Sequence, residues 1–265
     1  MVIPMETIDN IIQKVILYFN KHQVKKATHW LGTLKLRQRG APESLARIIA
    51  YIAKRVFNLK TKLQLFEQAL DLDADNIFIL TGYANALAKD KQFEKALKIF
   101  ERVLRVSPND AIALTGYGTA LVNSGQSQKA CQVFERALKI KPDDIVALNS
   151  YGRALISNGQ LDKACEVLEP ALELFPKNTL TLTTYGKTLA ESGQTQKAIK
   201  VFERALQIDE NDAMTLTSYG KVLAENRNPQ QAFDIFERAL QQNRNDTTTL
   251  NSYGKALANR AEEVQ

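Results

Sequence analysis

The sequence predicts an all-α fold, a solenoid of stacked helix–turn–helix units of 34 residues, and three observations carry that prediction. Tyr83, Tyr117, Tyr151, Tyr185, Tyr219 and Tyr253 recur at intervals of 34 residues, with no insertion or deletion. Each is set in a similar pentapeptide, from Thr81-Gly82-Tyr83-Ala84-Asn85 to Asn251-Ser252-Tyr253-Gly254-Lys255. A second signature, Phe-Glu-Arg-Ala-Leu, recurs at 134–138, 202–206 and 236–240. The apolar residues between these marks follow helical spacing. A fixed period of this size marks supersecondary units that bury their apolar faces only by stacking.

Composition agrees with a folded chain and excludes several classes. Of 265 residues, 45% are apolar and 24% charged, and 12 Gly with 7 Pro exclude collagen-like and disordered chains. No apolar run approaches the ~18 residues of a membrane span. The start of the chain carries Glu6 and Asp9 and no basic-then-apolar pattern, so a cytoplasmic protein is expected. Cys131 and Cys165 occupy equivalent places in consecutive units, where stacked helices stand ~8–10 Å apart. A disulfide needs Cα atoms within ~7 Å, so both are read as packing residues. The net charge of +6 is uneven: residues 1–62 hold 12 Lys/Arg against 3 acids, and the remainder is slightly acidic.

The elements follow in order. Thr7 is placed to cap a helix over 7–20, in which Ile8, Ile11, Ile12, Val15, Ile16 and Phe19 share a face. A helix over about 22–37 aligns Val24, Ala27, Trp30, Leu31 and Leu34, and Gly40-Ala41-Pro42 breaks it. Leu45, Ile48, Ile49, Ile52, Ala53 and Val56 repeat the pattern over 43–57. Leu63, Phe66, Ala69 and Leu70 line a fourth helix ending near Asp73-Ala74-Asp75-Asn76. From Ile77 the pattern is regular. The first helix of each unit is expected to bury the residue three before the tyrosine, the tyrosine, the next residue and the one four after, as in Leu182, Tyr185, Gly186 and Leu189. Gly125, Gly159 and Gly193 mark turns. The second helix carries a small residue and then an aromatic, as in Ala96 and Phe100, or Ala198 and Phe202. Pro108, Pro142 and Pro176 are expected to stop it. Pro170 falls inside a second helix and predicts a kink, and Pro229 suits a helix start.

This combination of period, helix pairs, small residues at helix crossings and terminal proline resembles the tetratricopeptide repeat (TPR) family. The resemblance covers five units, 77–110, 111–144, 145–178, 179–212 and 213–246, and the first helix of a further one within 247–265. It implies a right-handed superhelical solenoid whose concave groove holds peptide ligands. The chain departs from the family in placing the aromatic first and Leu four residues later. Lys91 and Arg227 replace the turn Gly, and Glu210 and Arg244 replace the terminal Pro. Carried backwards, the period sets Phe66 and Ala69 on the register of Phe100 and Val103, with one residue inserted near Pro42. The basic region 1–76 then reads as two degenerate capping repeats, with a separate small helical domain as the alternative. At the far end the first helix lacks its partner. Either Ala261–Gln265 frays, or the chain is the front of a longer polypeptide, which is the expectation; self-association through the uncovered edge is open.

No catalytic constellation stands out, so no enzymatic activity, cofactor or metal is expected. His22 and His29 suit solvated or packing roles, and no phosphate loop, HExxH or Cys-x-x-Cys occurs. What remains is a surface. On each first helix, the residues five before, two before, two after and five after the tyrosine form a stripe distinct from the core stripe. By the resemblance this stripe lines the groove. Its outermost row is apolar: Phe78, Ile112, Val146, Leu180 and Met214. The second row can hydrogen-bond: Thr81, Thr115, Asn149, Thr183, Thr217 and Asn251. The third turns basic, from Asn85 and Thr119 to Arg153, Lys187, Lys221 and Lys255, and the fourth is small or aliphatic.

Cations ~10 Å apart match every third residue of an extended peptide advancing ~3.3 Å per residue. The expected partner is a protein or peptide with acidic or phosphorylated groups and apolar side chains. The competing reading is that the lysines were duplicated with the repeats and only keep the groove soluble. A chaperone-tail carboxylate clamp is not expected, because only Asn85 matches it. Nucleic acid or an anionic surface is the alternative partner, through Lys21, Lys25, Lys26, Lys35, Arg37 and Arg39 near the front of the chain. The expectation is a non-enzymatic interaction scaffold or adaptor, or the recruiting segment of a larger protein, with delivery of substrates to a catalytic domain after Gln265 as a third reading.

Overall fold

The computed structural model describes residues 7–37, 40–226 and 228–263, without the side chains of 36, 37 and 261–263. These residues form α-helices and no strand, in two compact units, Met1–Gly125 and Gln126–Gln265. The first unit contains α1 (Ile8–Asn20), α2 (Val24–Arg37), α3 (Pro42–Arg55), α4 (Leu59–Leu72), α5 (Ile77–Lys89), α6 (Phe93–Val106) and α7 (Ala111–Asn123). The second contains α8 (Ser127–Ile140), α9 (Ile145–Ser157), α10 (Leu161–Leu174), α11 (Thr179–Glu191), α12 (Thr195–Ile208), α13 (Ala213–Glu225), α14 (Pro229–Gln242) and α15 (Thr247–Glu263). Within each unit consecutive helices pack together, α2 and α3 excepted, and every first helix also touches the next first helix.

Every first helix except α3, which starts at Pro42 after Ala41, begins where the sequence supplies a side-chain acceptor. Asn76, Asp110, Asp144, Asn178, Asp212 and Asp246 recur every 34 residues, and each accepts the N–H of the residue three further on, at 2.9–3.3 Å. Thr7 does the same for α1 through Asn10 N–H. Each cap satisfies one of the N–H groups that a helix start leaves without a partner. The second helices end at Val106, Ile140, Leu174, Ile208 and Gln242, in one register whether or not proline follows. Proline is therefore not what stops them; Ile208 and Gln242 stop without it.

The turns between paired helices require a left-handed residue. Gly125, Gly159 and Gly193 take φ of +69° to +81°, and Lys91 takes φ +61° at the same place without glycine's freedom. His22 follows α1 with φ +57°. Its neighbours repeat the backbone bonds found around Lys91: Gln23 N–H donates to Tyr18 O as Gln92 N–H donates to Leu87 O.

Phe66, Phe100, Phe134, Phe202 and Phe236 are fully buried, one to a second helix. In the second unit Gly152, Gly186 and Gly220 face Leu168, Phe202 and Phe236, and an added Cβ would come within 2.7–2.8 Å of those side chains. The tyrosines are not simply crossing fillers. Tyr83, Tyr117, Tyr151, Tyr219 and Tyr253 donate their phenol to Glu67, Glu101, Glu135, Glu203 and Glu237, each 16 residues earlier, at 2.8–3.3 Å. At Tyr185 burial and then Glu169 raise the phenol pKa as well. Burial, then the glutamate, pushes Tyr83, Tyr117 and Tyr219 up to about 12. Four of the five letters of Phe-Glu-Arg-Ala-Leu acquire a task. The Phe and Ala fill the core, the Glu holds the tyrosine, and the Arg pins the preceding loop: Arg204 donates to Pro176 O at 2.8 Å and Arg238 to Glu210 O at 3.0 Å. Pro170 takes the arginine's place on α10, which nevertheless runs unbroken from Leu161 to Leu174.

Three expectations are corrected. Val24 is 53% exposed, because the buried face of α2 is set by Ala27, Leu31 and Leu34. Leu250 and Leu257 are 44% and 47% exposed: among the described residues no further helix covers α15, whose buried side chains are Thr249 and Ala256. Helix α15 continues to Glu263. Arg39 and Arg227 lie outside the described residues, as does the Arg37 side chain. Cys131 and Cys165 are free thiols, with Asn158 Nδ2 donating to Cys131 Sγ at 3.4 Å.

A candidate protein-binding face

The stripe beside the tyrosines divides into rows with different fates. The apolar row, Phe78, Ile112, Val146, Leu180 and Met214, is 41–70% exposed. The second row is not. Thr81, Thr115, Asn149, Thr183 and Thr217 are at most 7% exposed, because this position lies where neighbouring first helices touch. Thr183 donates to Thr179 O at 2.8 Å and pairs with the Thr215 hydroxyl, and Thr217 donates to Ala213 O at 2.7 Å and meets Thr249 at 2.6 Å. Thr183 and Thr217 thus bond one helix to the next while each still borders a cavity, and Asn251, on α15, stays exposed.

The third row separates by unit. In the first, Asn85 Nδ2 donates to Thr81 O at 2.9 Å and Thr119 Oγ1 to Thr115 O at 2.8 Å, so both half-buried side chains turn back on their own helices. In the second, Arg153, Lys187, Lys221 and Lys255 are exposed. A lysine's longer stem lets its ammonium reach past the helix surface. Three cavities lie in series between them. Arg153 and Lys187 line one of about 440 Å³ with Leu180 and Met214. Lys187 and Lys221 share the next, about 320 Å³, with Met214 and Asp246. Lys221 and Lys255 share the third, about 460 Å³, with Asn251 and Glu225. Burial holds the Lys187 ammonium below the usual lysine range, Lys221 and Arg153 push the same way, and Glu191 opposes them. The face is thus short of negative charge at its centre.

The basic residues near the front of the chain do not converge. Lys21, Lys25 and Lys26 are exposed where α1 passes into α2, whereas Lys35 lies at the far end of α2 and donates to Gln68 Oε1 at 3.0 Å. Nine residues of helix separate Lys26 from Lys35, about 14 Å at 1.5 Å per residue. His29 is exposed and edge-on to Trp30, with ring centroids 5.8 Å apart. Among the described residues no group of three or more His, Cys, Asp or Glu could hold a metal ion, and no helix is long and apolar enough to cross a membrane.

Comparison with known proteins agrees with the helix pairs. A family model described as tetratricopeptide repeat matches residues 63–116 and 189–249, and one described as the cytochrome c-type biogenesis protein H TPR domain matches 102–215. The chain belongs to the tetratricopeptide repeat family. Its TPR fold is shared with a tetratricopeptide repeat protein from Parabacteroides merdae, at TM-score 0.75 and 17% identity over 94% of this chain and 98% of that one. Cut9–Hcn1, a hetero-tetramer of the APC/C, gives TM-score 0.72 and 16% identity over 96% of this TPR chain and 50% of that one. YrrB, a TPR protein with an unusual peptide-binding site, gives 0.52 and 22% over 71% and 96%. No curated protein matches this TPR sequence.

One group of residues on the first unit escaped the sequence reading. Lys54, Lys62 and Lys89 line a cavity of about 160 Å³ with Thr81 and Asn85. The signal was present: Lys62 stands at the register of Ala96, Ala130, Ala164, Ala198 and Ala232, five alanines with no exposed surface.

Proposed function

We propose that this TPR chain is a non-enzymatic adaptor that binds an extended acidic segment of a protein partner along α9, α11, α13 and α15. The tetratricopeptide fold is a protein-interaction scaffold, and the finer reading rests on one observation: each pair of adjacent cations shares a cavity, three times in series. Carboxylates spaced along an extended strand can meet successive cations through charge-assisted hydrogen bonds, while Leu180 and Met214 offer apolar contact between them. YrrB, with its peptide-binding site, is a precedent within the fold and no more. We also read α1 and α2 as a degenerate capping repeat, supported by the left-handed turn at His22. The test is fluorescence anisotropy of a labelled peptide with acidic residues at every third position, against the intact chain and against Lys187→Glu/Lys221→Glu/Lys255→Glu. Charge-assisted bonds are each worth about 1.5–3 kcal/mol, so the triple variant should lose at least about 100-fold in affinity. Equal affinity of the two proteins would leave the cations as solubilising residues only.

A further inference from the structure

We propose that the first unit carries a separate oxyanion site for a phosphoryl group, in the cavity lined by Lys54, Lys62, Lys89 and the Thr81 hydroxyl. The site is independent of the face on α9–α15. It begins with a departure from the repeat: where five second helices use a fully buried alanine to close the crossing, α4 has Lys62, half-buried. A half-buried lysine at a helix crossing gives up part of the water around its ammonium, a cost that a hydrogen-bond acceptor or a negative group offsets. No carboxylate lines this cavity. Instead, Lys89 comes close enough to add to the burial that lowers the Lys62 pKa, and burial and Arg55 lower that of Lys54.

The Thr81 hydroxyl supplies the second, independent observation. Thr81 is 7% exposed, and its Oγ1 is buried with no hydrogen-bond partner. Its counterparts Thr183 and Thr217 each bond a carbonyl and a neighbouring threonine, so the register permits satisfaction. Thr81 Oγ1 lacks it, as Asn149 Oδ1 does in the same row, and of these two residues it is Thr81 that lines the cationic cavity. Asn85 turns its amide nitrogen to Thr81 O and leaves the hydroxyl free to donate. Phe66 and Gly82 form the apolar side, where the backbone lies so close that a Cβ at Gly82 would stand 2.7 Å from the Phe66 ring. Three ammonium groups and a hydroxyl offer donors to an acceptor-only ligand. A phosphoryl group, carrying about −1.5 to −2 charges near neutral pH, balances three cations better than a carboxylate does. Free phosphate and a phosphorylated side chain share that chemistry.

The experiment titrates the intact chain with inorganic phosphate and, separately, with a phosphoserine peptide, following backbone amide NMR signals of α4 and α5. Lys62→Ala installs the residue that five other helices carry, and Lys89→Ala changes an exposed side chain, so both variants should fold. Saturable binding is expected, weakened about tenfold or more by either substitution, several-fold by Thr81→Val, and little by Lys187→Glu/Lys221→Glu/Lys255→Glu. Tighter binding of the peptide would identify a phosphorylated partner as the ligand, and equal binding would identify phosphate itself. Absence of saturation, or equal affinities of wild type, Lys62→Ala and Lys89→Ala, would overturn the proposal. So would equal losses in the triple variant, which would assign binding to net charge.

Discussion

The two units apply one register to different ends. Two residues after each tyrosine, the first unit has Asn85 and Thr119, whose polar atoms reach the carbonyl four residues back and are spent there. The second has Arg153, Lys187, Lys221 and Lys255, whose charged ends stay at the surface and border three cavities. In the first unit the cations come from other registers, with Lys62 replacing a core alanine. A repeat fold therefore fixes where a side chain starts. Its length and bonding capacity decide whether it faces a neighbour or a partner.

The largest test of this contrast is the triple charge reversal on α11, α13 and α15, whose effect should be confined to acidic peptides and should spare phosphate binding. Next come the glycines that set helix approach. Gly82→Ala and Gly220→Ala drive a Cβ against Phe66 and Phe236, each 2.7 Å away, and should destabilise by about 1–3 kcal/mol in urea unfolding. Gly254→Ala has nothing within 4 Å and should stabilise by about 0.5–1 kcal/mol. A loss at Gly254 as large as at Gly220 would contradict the packing account. A pH titration sharpens the charge argument. The Lys187 pKa is lowered, so affinity for an acidic peptide should be full below that pKa and fall as pH rises through it, beginning under the 10.5 of an isolated lysine. Loss of one charge-assisted contact corresponds to about tenfold, and Lys187→Gln should remove this component of the pH profile. The smallest effect is at the turn before α6. Lys91→Gly relieves a left-handed lysine and should add about 0.5–1 kcal/mol, read as a higher midpoint, after the entropy of a more flexible unfolded chain is subtracted. A lower midpoint would show that the lysine side chain contributes more than its backbone costs.

Much of the fold was legible because period and apolar phase are local properties. The tyrosine interval, the Ala–Phe pairs and the turn glycines each point to a helix pair whose partner lies next to it in sequence. Less was legible where a residue's task depends on a chain segment packed across from it. Tyr83 and Glu67 are 16 residues apart on different helices, and nothing in either pentapeptide indicates that the phenol ends on a carboxylate. The threonine row looked like part of a groove because it shares the stripe's helical phase. Its burial comes from the approach of the next first helix, which covers the flank of a face that a single-helix projection shows as open. Lys62 was readable in principle as a break in an alanine register, yet its meaning required the cavity beside it.

What the sequence determined by itself is the unit and its repetition: every 34 residues, an acceptor caps a helix, an aromatic fills the core and a turn reverses the chain. Those choices follow from backbone hydrogen bonding and helical periodicity, which neighbouring residues settle among themselves. Tertiary structure alone decided which polar side chains remain available. Stacking brings first helices together along one flank, consuming Thr183 and Thr217 in interhelical bonds and leaving Thr81 Oγ1 without one, while the longer lysines reach past the contact to border the cavities.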